Sequence, residues 1–291
     1  MKHLLTLSLL AFLIFCYTNS FGQASKVRAK EDKSKMKDAG MNDKPGNGRS
    51  LRSSDMQGAY SMTRQVVNDG TKDSVTTRPQ FKIYTDRYMI YVNQRLNDSL
   101  ANYGIGTYKM QDGKLIEYVF FRSSDGARKD SFELKINKTG DGYTQIIEFP
   151  ADSQGRKFVL TEDYKKVGQA ATTTPLDGAW KQTKAMYTPN KGSTSTEENP
   201  TQFKVYQSGH FIWVNTTQDS ATKKPVSVFG YGSFTMEGKN KSKEINSNSS
   251  YVTSLVGKPI MLELEFMGKD AYKQTIVTPD GKQVEFYHRL K

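Results

Sequence analysis

Few side chains in this sequence have the types and spacing that catalysis or metal binding requires. Beyond the N-terminal segment there are two histidines, His210 and His288, and the single cysteine, Cys16, lies close to the N-terminus. The sequence contains no HExxH pair, no Gly-x-Ser-x-Gly turn and no phosphate-cradling glycine loop. No spacing singles out a pair of carboxylates either. We therefore expect a protein that is not an enzyme and that has no metal or cofactor.

Polar and aromatic side chains that recur on strand faces are the candidates for binding a small molecule. The ligand-binding residues predicted on this basis are Arg64, Lys184, Gln145, Gln274, Glu162, His288, Tyr143 and Tyr272. A basic group inside an apolar cup would suit a carboxylate ligand. Alternatively, Arg64 and Lys184 extend to the rim with their stems packed, and His288 bonds a buried neighbour. His210 is expected as a packed or rim residue rather than a haem ligand.

The sequence repeats itself over long stretches. QFKIYTDRYMIYVN at 80–93 matches QFKVYQSGHFIWVN at 202–215, with half of the aligned positions identical. YGIGTYKM at 103–110 corresponds to FGYGSFTM at 229–236. Such a self-match predicts a duplicated unit. Two copies are too few for a solenoid, so each copy is expected to close on itself as a domain.

Each copy contains eight runs with the period-2 alternation of β-strands. In the first copy the predicted strands are 57–67, 79–84, 87–94, 101–110, 114–122, 130–138, 142–149 and 155–166. In the second copy they are 178–188, 201–206, 210–216, 226–237, 242–249, 258–267, 270–278 and 281–290. Short turns rich in Gly and Asp join them. The pattern predicts an all-β fold of two tandem eight-stranded antiparallel up-and-down barrels, because closure removes the sheet edges.

The third predicted strand of each copy is apolar on both faces. Met89 and Tyr91 lie on one face, and Ile90 and Val92 lie on the other. One face is expected to line the barrel, and the second must be covered from outside. The neighbouring barrel, a partner protein, or a terminal helix or loop could provide that cover.

The N-terminus predicts export. A basic start, an apolar run at 4–15 and small polar residues form the pattern of a secretory signal peptide. A signal anchor and lipid attachment at Cys16 are the alternatives. The predicted organisation is a signal peptide at 1–23, a disordered basic linker at 24–55, barrel 1 at 56–167, a linker at 168–176 and barrel 2 at 177–291.

Composition and charge narrow the class of partner. The formal net charge is +12, but outside the basic linker it is scattered, which argues against nucleic acid as a partner of an exported protein. The linker could touch an anionic envelope surface or act as a solvated tether. An aromatic content of 11% is too high for a wholly disordered chain. We expect a periplasmic or secreted location, with an envelope or protein partner left open.

Gly178-x-Trp180 on a first strand, the eight-stranded meander and Arg289 on the last strand resemble the lipocalin and calycin pattern. In that family a tryptophan closes the barrel floor and an arginine of the last strand stacks on it. The resemblance therefore implies these roles for Trp180 and Arg289. In the first copy Tyr60 replaces the tryptophan, and Asp163 aligns with Arg289.

More specifically, the chain resembles secreted lipocalin-like domains of unknown function from Bacteroidota, present here as two tandem copies over 56–291. That resemblance implies barrels that hold a small, mostly apolar molecule. We therefore favour an exported, non-catalytic protein that binds a small hydrophobic or amphipathic ligand, which requires a cavity of roughly 300 Å³ or more. The alternative is a structural or protein-interaction module of the cell envelope with solid barrels, which the doubly apolar third strand motivates.

Overall fold

The computed structural model describes residues 51–94, 101–124, 126–168, 173–251 and 253–291. The predicted signal peptide and most of the predicted basic linker lie outside the described residues. Within the described ranges, no helix is long and apolar enough to cross a membrane. The helical elements there are two short 3-10 helices, Ser53–Met56 and Thr253–Leu255.

Strands make up both repeated units. Barrel 1 is built from β1 Gly58–Asn68, β2 Asp73–Thr76, β3 Gln80–Tyr84, β4 Tyr88–Gln94, β5 Ala101–Gln111, β6 Lys114–Arg122, β7 Gly126–Thr139, β8 Gly142–Glu148 and β9 Val159–Lys166. Barrel 2 is built from β10 Gly178–Pro189, β11 Ser195–Glu198, β12 Thr201–Gln207, β13 His210–Gln218, β14 Pro225–Met236, β15 Lys241–Ser249, β16 Pro259–Phe266, β17 Ala271–Thr278 and β18 Gly281–Arg289. The sequence did not predict the short strands β2 and β11.

Each unit closes into an eight-stranded barrel. The strands follow one another as an antiparallel meander, and the last long strand pairs back onto the first, β9 on β1 and β18 on β10. The strands β2 and β11 are short additions that pair with the ends of β1 and β10. The predicted fold class is confirmed. The hairpin between β5 and β6 turns at Asp112 and Gly113, whose φ angles of 50° and 75° suit a type I′ turn.

A β-bulge in the first strand of each barrel decides which side chains enter the interior. The register of β1 against β9 shifts between Met62 and Arg64. The register of β10 against β18 shifts in the same way between Gln182 and Lys184. Because a bulge inserts one extra residue, it reverses the inside-outside alternation for the rest of the strand.

The two barrels bury their apolar outer faces against each other. Ile90 and Ile212, which lie on the outward faces of β4 and β13, are both 0% exposed and belong to one core cluster that draws on both barrels. Phe81 of barrel 1 stacks on Tyr231 of barrel 2, with ring centroids 4.6 Å apart. The second apolar face of the third predicted strand is therefore covered by the neighbouring barrel of the same chain.

The residues just before β1 pack against barrel 1. Met56, in the 3-10 helix Ser53–Met56, is 0% exposed and packs in the barrel core, and Leu51 packs against the same core. The backbone N–H of Met110 donates to Ser53 Oγ at 3.0 Å. Leu51 and Ser53 lie in the predicted linker at 24–55, whereas Met56 is the first residue of the predicted barrel 1. The burial of the two apolar side chains holds this segment against the barrel.

Candidate functional site

Each copy of the repeated motif, QFKIY or QFKVY, contributes side chains both to the interior of its own barrel and to the contact between the two barrels. In β3 all five residues are buried. Gln80, Lys82 and Tyr84 bond residues inside the barrel, whereas Phe81 and Ile83 belong to the core shared by the two barrels. Successive strand residues face opposite sides, so this single pentapeptide serves both purposes in each copy.

A buried ion pair lies at the centre of barrel 1. The Lys82 ammonium is 2.8 Å from Glu117 Oε1, and the two side chains are 3% and 6% exposed. Lys82 also donates to Gln145 Oε1 at 3.2 Å, and the Tyr84 hydroxyl donates to Glu117 Oε1 at 2.5 Å. Buried charges offset their desolvation only with such additional hydrogen bonds, and this pair has them.

A second buried carboxylate, that of Glu162, extends this network. Its two oxygens accept hydrogen bonds from Gln145 Nε2 at 2.6 Å, from Gln65 Nε2 at 2.6 Å and from the Tyr164 hydroxyl at 2.8 Å. Gln80 Nε2 in turn donates to the Tyr164 hydroxyl. The predicted ligand-binding residues Glu162 and Gln145 are thus engaged by neighbouring side chains inside the barrel.

Barrel 2 contains the same network with its own residues. Lys204 Nζ is 2.9 Å from Glu244 Oε1, which also accepts from the Tyr206 hydroxyl at 2.6 Å. The counterpart of Glu162 is Glu285, which accepts from the Tyr287 hydroxyl at 2.8 Å. Lys204 Nζ is also 3.4 Å from the predicted binding residue Gln274, which in turn donates to Glu285.

The network tyrosines are held in their neutral form. Burial raises the pKa of Tyr84 and Tyr206 well above the ordinary value of 10.0, and the adjacent glutamate raises it further. The same two causes raise the pKa of Tyr164 and Tyr287. These hydroxyls therefore remain hydrogen-bond donors to the buried carboxylates.

Arg64 and Lys184 do not lie inside the barrels. The Arg64 side chain is 54% exposed and lies 3.5 Å from Asp163, and Lys184 lies 2.8 Å from Glu198 on the outer surface. Both residues follow the β-bulge, where the alternation is reversed. The predicted inward orientation is wrong because it assumed that inward and outward side chains alternate without interruption along the strand, whereas the bulge inserts an extra residue. Gln65 enters barrel 1 instead.

His288 is exposed, so its predicted place on the inward face of the last strand is also wrong. Glu285 and Tyr287 face the interior there. The two copies differ in the connection that precedes this strand, a long loop at 149–158 against a tight turn at 279–280. The difference in loop length shifts the correspondence between copies, so that Glu162 does not match His288.

His210 lies at the contact between the barrels. Its ring centroid is 6.1 Å from that of Phe81. Burial lowers its pKa from the ordinary value of 6.5, partly opposed by hydrogen bonds with the backbone of Gly232 and Val167. This packed position agrees with the expectation of a packed rather than a ligating imidazole.

The floor of barrel 2 is closed by Trp180 and Arg289. The guanidinium lies 4.0 Å from the centre of the indole ring and donates to the carbonyl oxygens of Asp177 at 2.7 Å and Pro175 at 3.1 Å. In β9 of barrel 1 the residue that pairs with Tyr60 is Lys166, as Arg289 pairs with Trp180. The alignment of Asp163 with Arg289 is therefore wrong, again because of the difference in loop length.

Among the predicted tyrosines, Tyr143 and Tyr272 lie inside their barrels and are 0% exposed. Each stacks on the network tyrosine of the last strand, with 4.9 Å between the ring centroids in both barrels. Tyr60, predicted to close the floor of barrel 1, packs edge-on against Tyr143 at 4.9 Å. Aromatic rings thus fill the space below the polar network in both copies.

A cavity of about 420 Å³ opens at the mouth of barrel 1, where β1 ends and β9 begins. We call it the mouth cavity. It is lined by Gln65, Val67, Arg78, Phe149, Phe158, Val159 and Leu160. Arg78 Nε is buried and has no hydrogen-bond partner among the described residues. An unpartnered guanidinium N–H over apolar walls is suited to an anionic group of an otherwise apolar ligand.

Sequence reasoning missed both Arg78 and the network lysines. Arg78 precedes the predicted strand at 79–84, so strand alternation did not assign it to a face. The matching position in barrel 2 is Pro200, two residues before Gln202. Lys82 could have been found from the repeated motif, because it alternates with Phe81 and Ile83 and Lys204 takes the same position in the second copy.

Comparisons with known proteins do not place the chain in a family. No family model matches the sequence, and no curated protein matches it. It is similar in structure to a protein of unknown function from the DUF3598 family of Nostoc punctiforme, with 8% identity and a TM-score of 0.24 over 80% of this chain and 96% of that one. It is also similar to a "putative outer membrane protein" of Bacteroides fragilis, with 9% identity and a TM-score of 0.23 over 82% and 99%.

The described residues contain no group of three or more His, Cys, Asp or Glu side chains that could hold a metal ion. Each buried carboxylate described above already accepts hydrogen bonds from lysine, glutamine or tyrosine. The buried carboxylates are therefore already engaged, whereas the hydroxyls of Tyr143 and Tyr272 are buried without a hydrogen-bond partner among the described residues. Arg78 Nε also lacks a partner there, and Arg78 lines the mouth cavity.

Proposed function

We propose that this chain is an exported, non-catalytic protein that binds a small amphipathic molecule with an anionic group in the mouth cavity of barrel 1. The observation that carries the proposal is Arg78, which lines this mainly apolar cavity and whose Nε is buried without a hydrogen-bond partner among the described residues. A buried polar group without a hydrogen bond is costly, and a bound carboxylate, sulfonate or phosphate would supply the missing acceptor.

The shape of the cavity supports a ligand that enters only part of the barrel. The walls formed by Val67, Phe149, Phe158 and Leu160 offer apolar surface, while Gln65 marks its inner limit because that side chain is bonded to Glu162. Below this level the network and the tyrosines fill the interior. The ligand would therefore rest above the network, with its anionic group at Arg78.

Export is part of the proposal and rests on the N-terminal sequence. The basic start and the apolar run at 4–15 have the form of a secretory signal peptide. Residues 51–291 contain no cysteine, so no disulfide can form within them and their folding depends on core packing.

The alternative function, a structural or interaction module, depended on an apolar outer face of the third predicted strand. Ile90 and Ile212 on that face are buried between the two barrels. The face is thus used within the chain, and we favour ligand binding.

The test is the binding of 8-anilinonaphthalene-1-sulfonate, an amphipathic anion, followed by its fluorescence. We expect saturable binding that Arg78→Met weakens at least about tenfold, since a charge-assisted hydrogen bond is lost. Arg64→Met is the matched control, because it makes the same change in the same barrel at an exposed residue. Equal affinities of the two variants, or no binding by the unmodified chain, would contradict the proposal.

A further inference from the structure

A second cavity lies at the opposite end of barrel 1, where β1 begins and β9 ends. We call it the floor cavity. Its volume is about 490 Å³, and it is lined by Tyr60, Lys138, Gly140, Asp141, Gly142, Lys166 and Gly168. In contrast to the mouth cavity, polar groups dominate its walls, and two of them are lysines.

The two lysines face this space with incomplete compensation of their charge. The Lys138 ammonium donates to the backbone carbonyl of Asp55 at 2.6 Å. The Lys166 ammonium has no hydrogen bond or ion pair among the described residues. Burial lowers the pKa of Lys138, the charge of Lys166 lowers it further, and Asp55 partly opposes both effects. The two cations are therefore close enough to repel each other.

The acidic groups nearby are already paired with other cations. Asp141, which lines the cavity, lies 3.5 Å from the ammonium of Lys165. The Asp55 carboxylate accepts the backbone N–H of Arg52 at 2.8 Å and lies 3.7 Å from its guanidinium. The two acids do not provide a direct partner for Lys166, so the floor of barrel 1 holds an excess of positive charge.

In barrel 2 the side chain at the position of Lys166 closes the floor of the barrel. Arg289, the counterpart of Lys166, lies over the Trp180 ring and donates to the carbonyl oxygens of Asp177 and Pro175. In barrel 1 the smaller Tyr60 replaces the tryptophan, and the Tyr60 hydroxyl is buried without a hydrogen-bond partner among the described residues. The same structural position is thus filled in one barrel and open and cationic in the other.

We propose that the floor cavity of barrel 1 is a binding site for a small phosphate-like oxyanion, held between the ammonium groups of Lys138 and Lys166. A tetrahedral dianion would relieve the repulsion between the two lysines and accept hydrogen bonds from both. The site is independent of the mouth cavity, because the two lie at opposite ends of the barrel and share no lining residue.

The test is titration of the full chain with inorganic phosphate at constant ionic strength, followed by calorimetry and by the amide NMR shifts of Gly140, Gly142 and Gly168. We expect one saturable site and shifts at these three glycines. Lys166→Gln should weaken phosphate binding at least about tenfold, which is the loss of one charge-assisted contact.

Lys165→Gln is the matched control. It removes the same charge one residue away, from a side chain that is paired with Asp141 and 64% exposed, and its affinity for phosphate should stay within about twofold of the unmodified chain. Equal weakening by both variants would mean diffuse attraction to a basic surface and would overturn the proposal. Absence of saturable binding, or shifts only at other residues, would overturn it as well.

Discussion

Replacing Lys82 with methionine should destabilise barrel 1 far more than an ordinary loss of a surface charge. The ammonium of Lys82 is 2.8 Å from Glu117, and both side chains are almost completely buried. At this distance and an effective dielectric constant of about 20, the attraction is about 6 kcal/mol. Methionine matches the length of the lysine stem, so the change removes the charge. Among the described residues it leaves the Tyr84 hydroxyl as the donor to the buried Glu117.

Removal of one partner of a buried ion pair costs about 3–5 kcal/mol, because the other charge stays desolvated and uncompensated. We therefore expect Lys82→Met to lower the free energy of unfolding by this amount, measured by urea unfolding followed by far-UV circular dichroism. The double variant Lys82→Met with Glu117→Gln should recover part of the loss, since both members of the ion pair are then replaced by uncharged side chains.

The chain provides a control with nearly the same distance and different burial. Lys114 lies 2.7 Å from Glu133, but the two side chains are 47% and 62% exposed. Lys114→Met should cost less than about 1 kcal/mol, as exposed ion pairs do. A loss below about 1 kcal/mol for Lys82→Met, or equal losses for the two variants, would refute the reasoning from burial.

Two further predictions concern barrel closure and alkaline pH. Arg289→Met should cost barrel 2 about 2–4 kcal/mol, since the stacking on Trp180 and the charged hydrogen bonds to three carbonyl groups are lost. Tryptophan fluorescence during urea unfolding measures the loss, and a value below about 1 kcal/mol would contradict the role. Because the raised pKa of Tyr84 and Tyr206 keeps them protonated in the fold, the stability they contribute is present below pH 10 and is lost as the pH rises through their folded-state pKa values. Tyrosinate absorbance from these buried rings should then appear together with the loss of circular dichroism; their full ionisation near pH 10 in a folded chain would contradict the buried network.

Much of the architecture could be read from the sequence because it depends on periodicity. Strand alternation and the repeat led to two eight-stranded barrels, and most predicted strand limits lie within a few residues of those in the structure. The short strands β2 and β11 were missed because Asp73–Thr76 and Ser195–Glu198 are mostly exposed and carry little apolar signal.

The candidate site was harder to predict because it depends on local departures from periodicity. A single bulge moved Arg64 to the surface and brought Gln65 inside, and a period-2 analysis contains no signal for it. The loop before the last strand differs in length between the copies, so aligning Glu162 with His288 gave the wrong orientation for His288. Arg78 lies outside the strands, so its orientation depends on how the chain enters β3, which local propensity does not specify.

The repeated pentapeptide also shows what a pattern leaves open. Its two faces were visible in the sequence, but period 2 alone does not say that the Lys82 face builds a hydrogen-bonded polar network or that the Phe81 face meets the other barrel. Both facts depend on contacts distant in sequence, such as Lys82 with Glu117 and Phe81 with Tyr231. Such contacts between residues far apart in sequence form only when the barrel closes and the two barrels pack together.

The most direct test of the account is whether the mouth cavity holds a molecule in the protein as the cell makes it. We would purify the chain gently from its own envelope fraction and record native mass spectra of the unmodified chain, Arg78→Met and Arg64→Met. The account predicts an added mass that leaves on denaturation, present in the unmodified chain and in Arg64→Met and lost from Arg78→Met. A bare mass for the unmodified chain, even after incubation with envelope lipid extract, or an added mass that Arg78→Met retains, would contradict it.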